Sequence, residues 1–322
     1  MNNRKRMAEQ IASYYMKNPS SSSRTIGNYL KCDPSYCRRI MRQYNRGLFD
    51  YLKPKNLKPN MPKILLFDLE TAPMLCLAWQ PKTEYINNEF ILKDISILSW
   101  AAKWLYDDKI MSGTVSYLDA KERRDGSACK SLWKLLDTAD VVIGHNVKDF
   151  DNRIANTRFI INGLKPPSSY KSIDTCLIAK SKFKFTSNRL NYIAQILCNK
   201  EKIHTNAELW KKCISGKKDI ATKALKYMTK YNMQDVRILE DVYLQLRSWD
   251  SYHHNLAIYG DMKGKQCPVC GSKNIKQKKQ YYTASGRYDS YVCNKCGSLS
   301  RSRYSNLSKE ERKELLTIAV RQ

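Results

Sequence analysis

Acidic residues are scarce in this chain of 322 residues. Thirty Asp and Glu stand against 57 Lys and Arg, for a formal net charge of +27 at pH 7. That imbalance favours a polyanionic partner, and nucleic acid is the first candidate. Long apolar runs are also missing. No segment approaches the roughly 20 residues needed to span a bilayer, and no amphipathic basic helix stands out that would lie on an anionic membrane. The opening MNNRKRMAEQ is basic but has no apolar stretch of the kind a signal peptide carries. There are only four histidines, so imidazole chemistry has few candidates. Internal repeats and long low-complexity tracts are absent as well. Cysteine, by contrast, is plentiful, at eleven residues. Without an export signal, these are expected in a reducing, cytoplasmic compartment. Cys76, Cys176 and Cys198 fall in apolar surroundings and read as small core residues.

The charge is uneven. Residues 1–60 carry a net +10 and residues 261–322 a net +9, whereas the 200 residues between them carry only +8. The middle is where the acids gather, in three ordered clusters: Asp68 and Glu70 in FDLET, Asp151 in HNVKDFD, and Asp235 in YNMQDV. KILLFDL is a near-continuous apolar run that predicts a buried strand. On a strand, residues i and i+2 share a face, so Asp68 and Glu70 can meet one metal. Tyr231 and Asp235 are spaced i and i+4 on a predicted helix and project from one side. Several carboxylates converging on one spot are what a pair of divalent cations requires. Further strands are expected around Cys76–Trp79, Ile95–Trp104, Ile110–Ser116 and Val141–Ile143. A helix is expected near Cys129–Leu136, and a long one from about Gln234, or slightly earlier, to Leu246. A mixed sheet followed by helices predicts an α/β domain over residues 61–250.

Together these motifs resemble those of the DnaQ-like, or DEDD, 3'-5' exonuclease superfamily. Its Asp-x-Glu is matched by Asp68 and Glu70, its Asn-x-x-x-Phe/Tyr-Asp by Asn146, Phe150 and Asp151, and its Tyr-x-x-x-Asp by Tyr231 and Asp235. The tyrosine variant is similar to the DEDDy branch. The sister branch has His five residues before the last Asp, where this chain has Lys230. The likeness spans roughly residues 61–250 and is greatest to stand-alone exonucleases of phages and some bacteria, which implies the cytoplasm of a bacterial or phage-infected cell. It implies an RNase H-like fold and Mg²⁺- or Mn²⁺-dependent removal of nucleotides from a 3' end. By resemblance, Asp68 bridges two ions, Glu70 and Asp235 complete one site, and Asp151 holds the other. Tyr231 then orients water, since a phenol with a pKa of about 10 is a poor base. Asn146 and Phe150 are candidate substrate contacts, with packing the plainer role for Phe150. His145 reads as a structural hydrogen-bonding residue, Asp174 as a strand end that caps the next helix or borders the site, and Ser187, Asn188 and Arg189 as candidate phosphate contacts. Two rival readings stay open: a nucleic-acid-binding regulator around an inert core, and a structure-selective endonuclease.

Both flanks read as small modules. Residues 1–47 predict three helices. The turn at Lys31 to Asp33 and the arginines of the third helix (Arg38, Arg39, Arg42, Arg46) resemble a helix-turn-helix. A helical hairpin that merely docks on the α/β domain is the alternative. Cys37, Ile40, Met41 and Tyr44 are expected to face inward. Residues 48–60, with Pro54 and Pro59, read as an extended basic linker. Near the C-terminus, Cys267-Pro-Val-Cys270-Gly and Cys293-Asn-Lys-Cys296-Gly are two CxxCG knuckles, a strong signature for one structural Zn²⁺ in a ribbon over residues 261–304. Lys276, Lys278, Lys279, Tyr281, Tyr282, Arg287 and Tyr291 interleave base and aromatic groups, as single-strand binders do. A ribbon that only stabilises itself or meets a protein is the other reading. Ser285-Gly286 is the expected hairpin turn, and Ser308 and Glu311 predict a capped short helix within residues 305–322. The helix-turn-helix likeness favours DNA over RNA as partner.

Overall fold

The computed structural model describes residues 3–18, 21–45, 62–201, 203, 205–260 and 264–319. The chain divides into two compact units, Met1–Met61 and Pro62–Gln322. The expected basic linker over 48–60, together with Arg46 and the side chain of Tyr44, lies outside the described residues.

The first unit has three helices: α1 (Asn3–Lys17), α2 (Ser23–Leu30) and α3 (Pro34–Asn45). Ser22 caps α2 by accepting the N–H of Thr25. Lys31 adopts the left-handed region at φ 51° and ends that helix. Asp33 Oδ1 accepts the N–H groups of Ser35 and Tyr36, which starts α3 with Pro34 in its first turn. Ile11, Ala12, Ile26, Cys37 and Ile40 form the buried core.

The second unit is built on a five-stranded mixed sheet. Its strands are β1 (Ile64–Ala72), then, after a small ribbon of β2 (Leu75–Cys76) and β3 (Ile91–Lys93), β4 (Ser96–Trp104) and β5 (Ile110–Thr114). Helices α4 (Tyr117–Glu122) and α5 (Gly126–Thr138) lead to β6 (Val141–Gly144), and α6 (Asp151–Ile161) leads to β7 (Lys171–Asp174). The order across the sheet is β5-β4-β1-β6-β7. β1, β4 and β5 pair antiparallel, while β6 and β7 run parallel to β1. Helices α7 (Thr175–Lys182), α8 (Leu190–Cys198), α9 (Ala207–Cys213) and α10 (Lys218–Leu246) follow.

Alternation along β1 divides the core. Leu65, Phe67 and Leu69 pack with Leu132 and Leu136 of α5 and Phe159 of α6. Ile64 and Leu66 pack on the other face with Ile193 of α8 and Val236, Leu239 and Val242 of α10. Helix α10 runs for 29 residues, so it starts far before the expected Gln234. Ala221, Ala224, Leu225 and Met228 extend its buried stripe at helical spacing. Glu240 fastens it to the sheet by pairing with Lys103 of β4 and accepting the N–H of Tyr106. The expected strand at Cys76–Trp79 shrinks to Leu75–Cys76, and Trp79 is 94% exposed. Cys176 is buried, but Cys76 and Cys198 are only half-buried; Cys129 and Cys213 are the buried thiols that the local sequence did not suggest.

The C-terminal segment belongs to the same unit as the sheet. β8 (Ile275–Gln277), β11 (Ser290–Cys293) and β12 (Leu299–Arg301) form a three-stranded sheet, and β9 (Tyr281–Thr283) and β10 (Gly286–Tyr288) form a hairpin. The turn falls at Ala284 and Ser285, with Gly286 already in β10 opposite Thr283. Helix α11 (Lys309–Lys313) opens with the expected capping box of Ser308 and Glu311. No helix among the described residues is long and apolar enough to cross a membrane.

Candidate active site and metal-binding clusters

The acidic site grows out of a fork in the sheet. β1 pairs with β6 only from Ile64 to Leu66, opposite Val141 to Ile143. Beyond that point β6 turns away at Gly144, where an added Cβ would lie 2.5 Å from the Val147 side chain. Asn146 follows in the left-handed region at φ 68°. The last residues of β1 keep β4 on one side, Asp68 opposite Ala101 and Glu70 opposite Ser99, before a bulge after Glu70. On the side that β6 has left, the N–H of Leu69 donates to Asp151 Oδ1 at 3.0 Å. A side-chain carboxylate thus stands where a ladder partner would otherwise be.

Asp68 and Glu70 are half-buried and face the α10 side of the sheet, flanking the buried Leu69. α10 brings up Asp235, which is 2% exposed. One carboxylate oxygen from each of these three lies within 4.8 Å of the others. Hard oxygen donors at such spacing suit a small divalent cation such as Mg²⁺ or Mn²⁺. Asp151 does not join that three-residue cluster, but it is anchored between two of its members through Leu69. Burial is the main cause that pushes the Asp151 carboxyl up, to about 7, opposed by backbone N–H groups and helped by the charge of Asp174.

Asn232 is a member of the site that the sequence motifs did not single out. It is fully buried on α10, and its Nδ2 donates to Asp68 Oδ2 at 2.6 Å. It precedes Asp235 by three residues, so both meet the sheet from one helix face, and that spacing was the available signal. Tyr231 is half-buried and packs at the edge of the larger core.

The loop carrying Asn146 and Asp151 is held by its neighbours. Asp174 accepts the N–H groups of Asn146 and Lys148 at 2.9 and 3.1 Å and also caps α7 through Cys176 and Leu177. His145 bridges Thr175 Oγ1 and the carbonyl of Asn188 at 2.9 and 2.7 Å. Both residues therefore brace the loop, and the Asn188 carbonyl is occupied by that brace. Arg189 is exposed at the start of α8. Phe150 is 40% exposed at the head of α6, which argues against simple core packing for it.

The second cluster is made of thiols. Cys267, Cys270, Cys293 and Cys296 place their sulfurs within 4.8 Å of one another, with Cys267–Cys296 and Cys270–Cys293 at 3.6 Å. Zn–S bonds of about 2.3 Å in a tetrahedron imply S···S edges near 3.8 Å, so the set can hold a metal such as zinc. The two knuckles repeat one geometry. Gly271 and Gly297 have φ of 67° and 76° and donate N–H to the carbonyls of Cys267 and Cys293. The buried Ser298 hydroxyl lies 3.0 Å from Cys267 Sγ and 3.3 Å from Cys296 Sγ. On the ribbon surface Tyr281 and Tyr282 are exposed, whereas Tyr291 is buried against Lys265 and unavailable for stacking. Arg287 faces Glu311 at 3.6 Å. In the first unit Arg38, Arg39 and Arg42 are exposed, with Arg39 5.0 Å from the Tyr36 ring centre.

No family model matches this chain, and no curated protein matches it. Among solved structures, the chain is similar to the family B DNA polymerase from the hyperthermophilic archaeon Pyrobaculum calidifontis, at 14% identity and a TM-score of 0.41. The match covers 58% of this chain and 25% of that one.

Proposed function

We propose that the protein is a metal-dependent 3'-5' exonuclease, with DNA as the favoured substrate and an RNase H-like fold over residues 61–250. The observation that carries this reading is the convergence of Asp68, Glu70 and Asp235 within 4.8 Å, with Asp151 docked between the first two at Leu69. Three antiparallel strands followed by two parallel ones, with the acids at the fork, support the fold assignment. Asp68, Glu70 and Asp235 would hold one divalent ion, and Asp68 with Asp151 a second. Bound there, the pair would make hydroxide available near neutral pH and stabilise the leaving 3' oxygen.

The chain's own residues supply position. Asn232 fixes the carboxylate of Asp68, Asp174 and His145 fix the loop that carries Asp151, and the Tyr231 hydroxyl orients the attacking water. Asn146 and Phe150 stand in that loop as substrate contacts. We assign residues 1–47 to a helix-turn-helix whose Arg38, Arg39 and Arg42 meet phosphates, and residues 261–304 to a zinc ribbon that adds affinity for the strand.

The test is a time course with Mg²⁺ or Mn²⁺ on 5'-labelled single-stranded DNA and RNA, with circular DNA and Asp68→Ala as controls. A ladder shortening from the 3' end, with DNA cut faster than RNA and Asp68→Ala inert, is expected. Internal cuts in the circle would replace the exonuclease with an endonuclease. Tight binding without cleavage would leave a regulator around an inert core.

A further inference from the structure

Along the outer strand β7 and helix α7 runs a groove of about 710 Å³. Exposed Lys148, Lys171 and Lys180 line it. Tyr252, 92% exposed, and the half-buried Tyr170 supply two aromatic faces. Two acids also border it, and both are engaged by backbone. Asp174 is buried and takes four N–H groups. Asp250 takes the N–H of Tyr252 at 2.9 Å. Three exposed lysines against these two acids, one of them buried, leave the groove net positive.

One wall of the groove is tied to the loop that leads to Asp151. Lys148 lies in the loop between Asn146 and Asp151, and Asp174, in the groove wall, holds that loop at both Asn146 and Lys148. A polyanion lying along β7 is thereby led to the residues beside the acid cluster.

We infer that this groove is a path for one single strand of nucleic acid, with phosphates on Lys148, Lys171 and Lys180 and bases against Tyr252 and Tyr170. Alternating cations and exposed aromatic rings are the means by which proteins hold unpaired strands without reading sequence. The inference deepens the exonuclease reading and rests on it for the direction of the strand. Binding to the groove, however, can be measured without any cleavage.

The experiment measures binding of the full-length, zinc-loaded protein to fluorescein-labelled oligo(dT) and to a blunt duplex, with no added Mg²⁺ or Mn²⁺, across a salt series. Lys148→Gln/Lys171→Gln/Lys180→Gln is compared with Lys109→Gln/Lys130→Gln/Lys134→Gln, three exposed lysines outside the groove. At about 0.7 per phosphate contact on a single strand, the groove triple should flatten the slope of log K against log salt by about 2. Tyr252→Ala should weaken oligo(dT) binding about 5- to 150-fold.

An unchanged slope would overturn the inference, as would equal flattening by the control triple or equal weakening on the duplex. Tyr252→Ala without effect would overturn it too, because lysines alone would take any polyanion, an acidic peptide included. Groove binding that survives in a protein with no nuclease activity would sink only the exonuclease reading.

Discussion

A buried amide helps to orient the carboxylate of Asp68. Asn232 Nδ2 donates to its Oδ2 at 2.6 Å. Partners of this kind fix metal ligands in place, and their removal costs roughly 10- to 100-fold in metal affinity. Asn232→Leu keeps the volume and removes the donor. It should weaken Mn²⁺ binding by that factor, as read by calorimetric titration, and activity should return when Mn²⁺ is raised. Unaltered Mn²⁺ affinity would reduce Asn232 to a helix-packing residue. The acids themselves were legible because their spacing is local: period two on β1, and i to i+4 on α10. The bond from Asn232 to Asp68 spans 164 residues and that from Asp151 to Leu69 spans 82. No periodicity carries such contacts, and they appear only once the sheet forks and α10 crosses it.

At the scale of elements, the sheet and its helices are joined by an ion pair that nothing in the local sequence announces. Asp125, 1% exposed by side chain, sits at the start of α5 and binds Arg158 of α6 through two bonds of 2.7 and 2.9 Å. It also accepts the N–H of Ile97 in β4 at 2.8 Å and the amide of Asn162 at 2.8 Å. Burial raises its pKa, but Arg158, Ile97 and Asn162 together outweigh burial and hold the carboxyl below its ordinary 3.8. A carboxyl depressed in the folded state stabilises above that value, and its contribution is lost as pH falls below it. Asp125→Ala leaves a buried guanidinium without its partner and should cost about 3–5 kcal/mol in urea unfolding near neutral pH. Asp125→Ala/Arg158→Met should recover much of that loss, and the single variant should lose less than wild type on acidification through this window. A single variant as stable as wild type, or one losing as much on acidification, would show that the pair does not join these elements. β1, β4 and β6 were legible from their apolar runs, whereas β7, Lys171–Asp174, has only one apolar residue and no such signal. The full length of α10 was also legible, at Ala221, Ala224, Leu225 and Met228, once helical spacing is followed back from Asp235.

At the scale of the whole molecule, the four-cysteine ribbon is joined to the sheet's core at Leu256. Leu256 buries its side chain in the core that holds Leu66 and Val242, and its backbone N–H donates to the carbonyl of Pro268 in the first knuckle at 2.7 Å. Among the described residues, the ribbon's buried apolar cluster is Cys267, Val269 and Cys293, with Cys270, Ile275 and Cys296 packed around them. So small a core cannot offset the chain entropy of ordering the β8–β12 segment. A metal held by the four thiols would then supply most of its folding free energy, as it does for small zinc domains. The sheet has its own core on both faces and is expected to stand without that metal. Cys293→Ser should therefore release one zinc per chain by metal analysis. In hydrogen exchange, residues 267–301 should lose protection, with loosening that reaches Leu256, while β1 and β4 stay protected. Retained zinc would refute the four-thiolate site. Equal loss of protection in β1 would mean that the ribbon completes the core and is not merely fastened to it at Leu256.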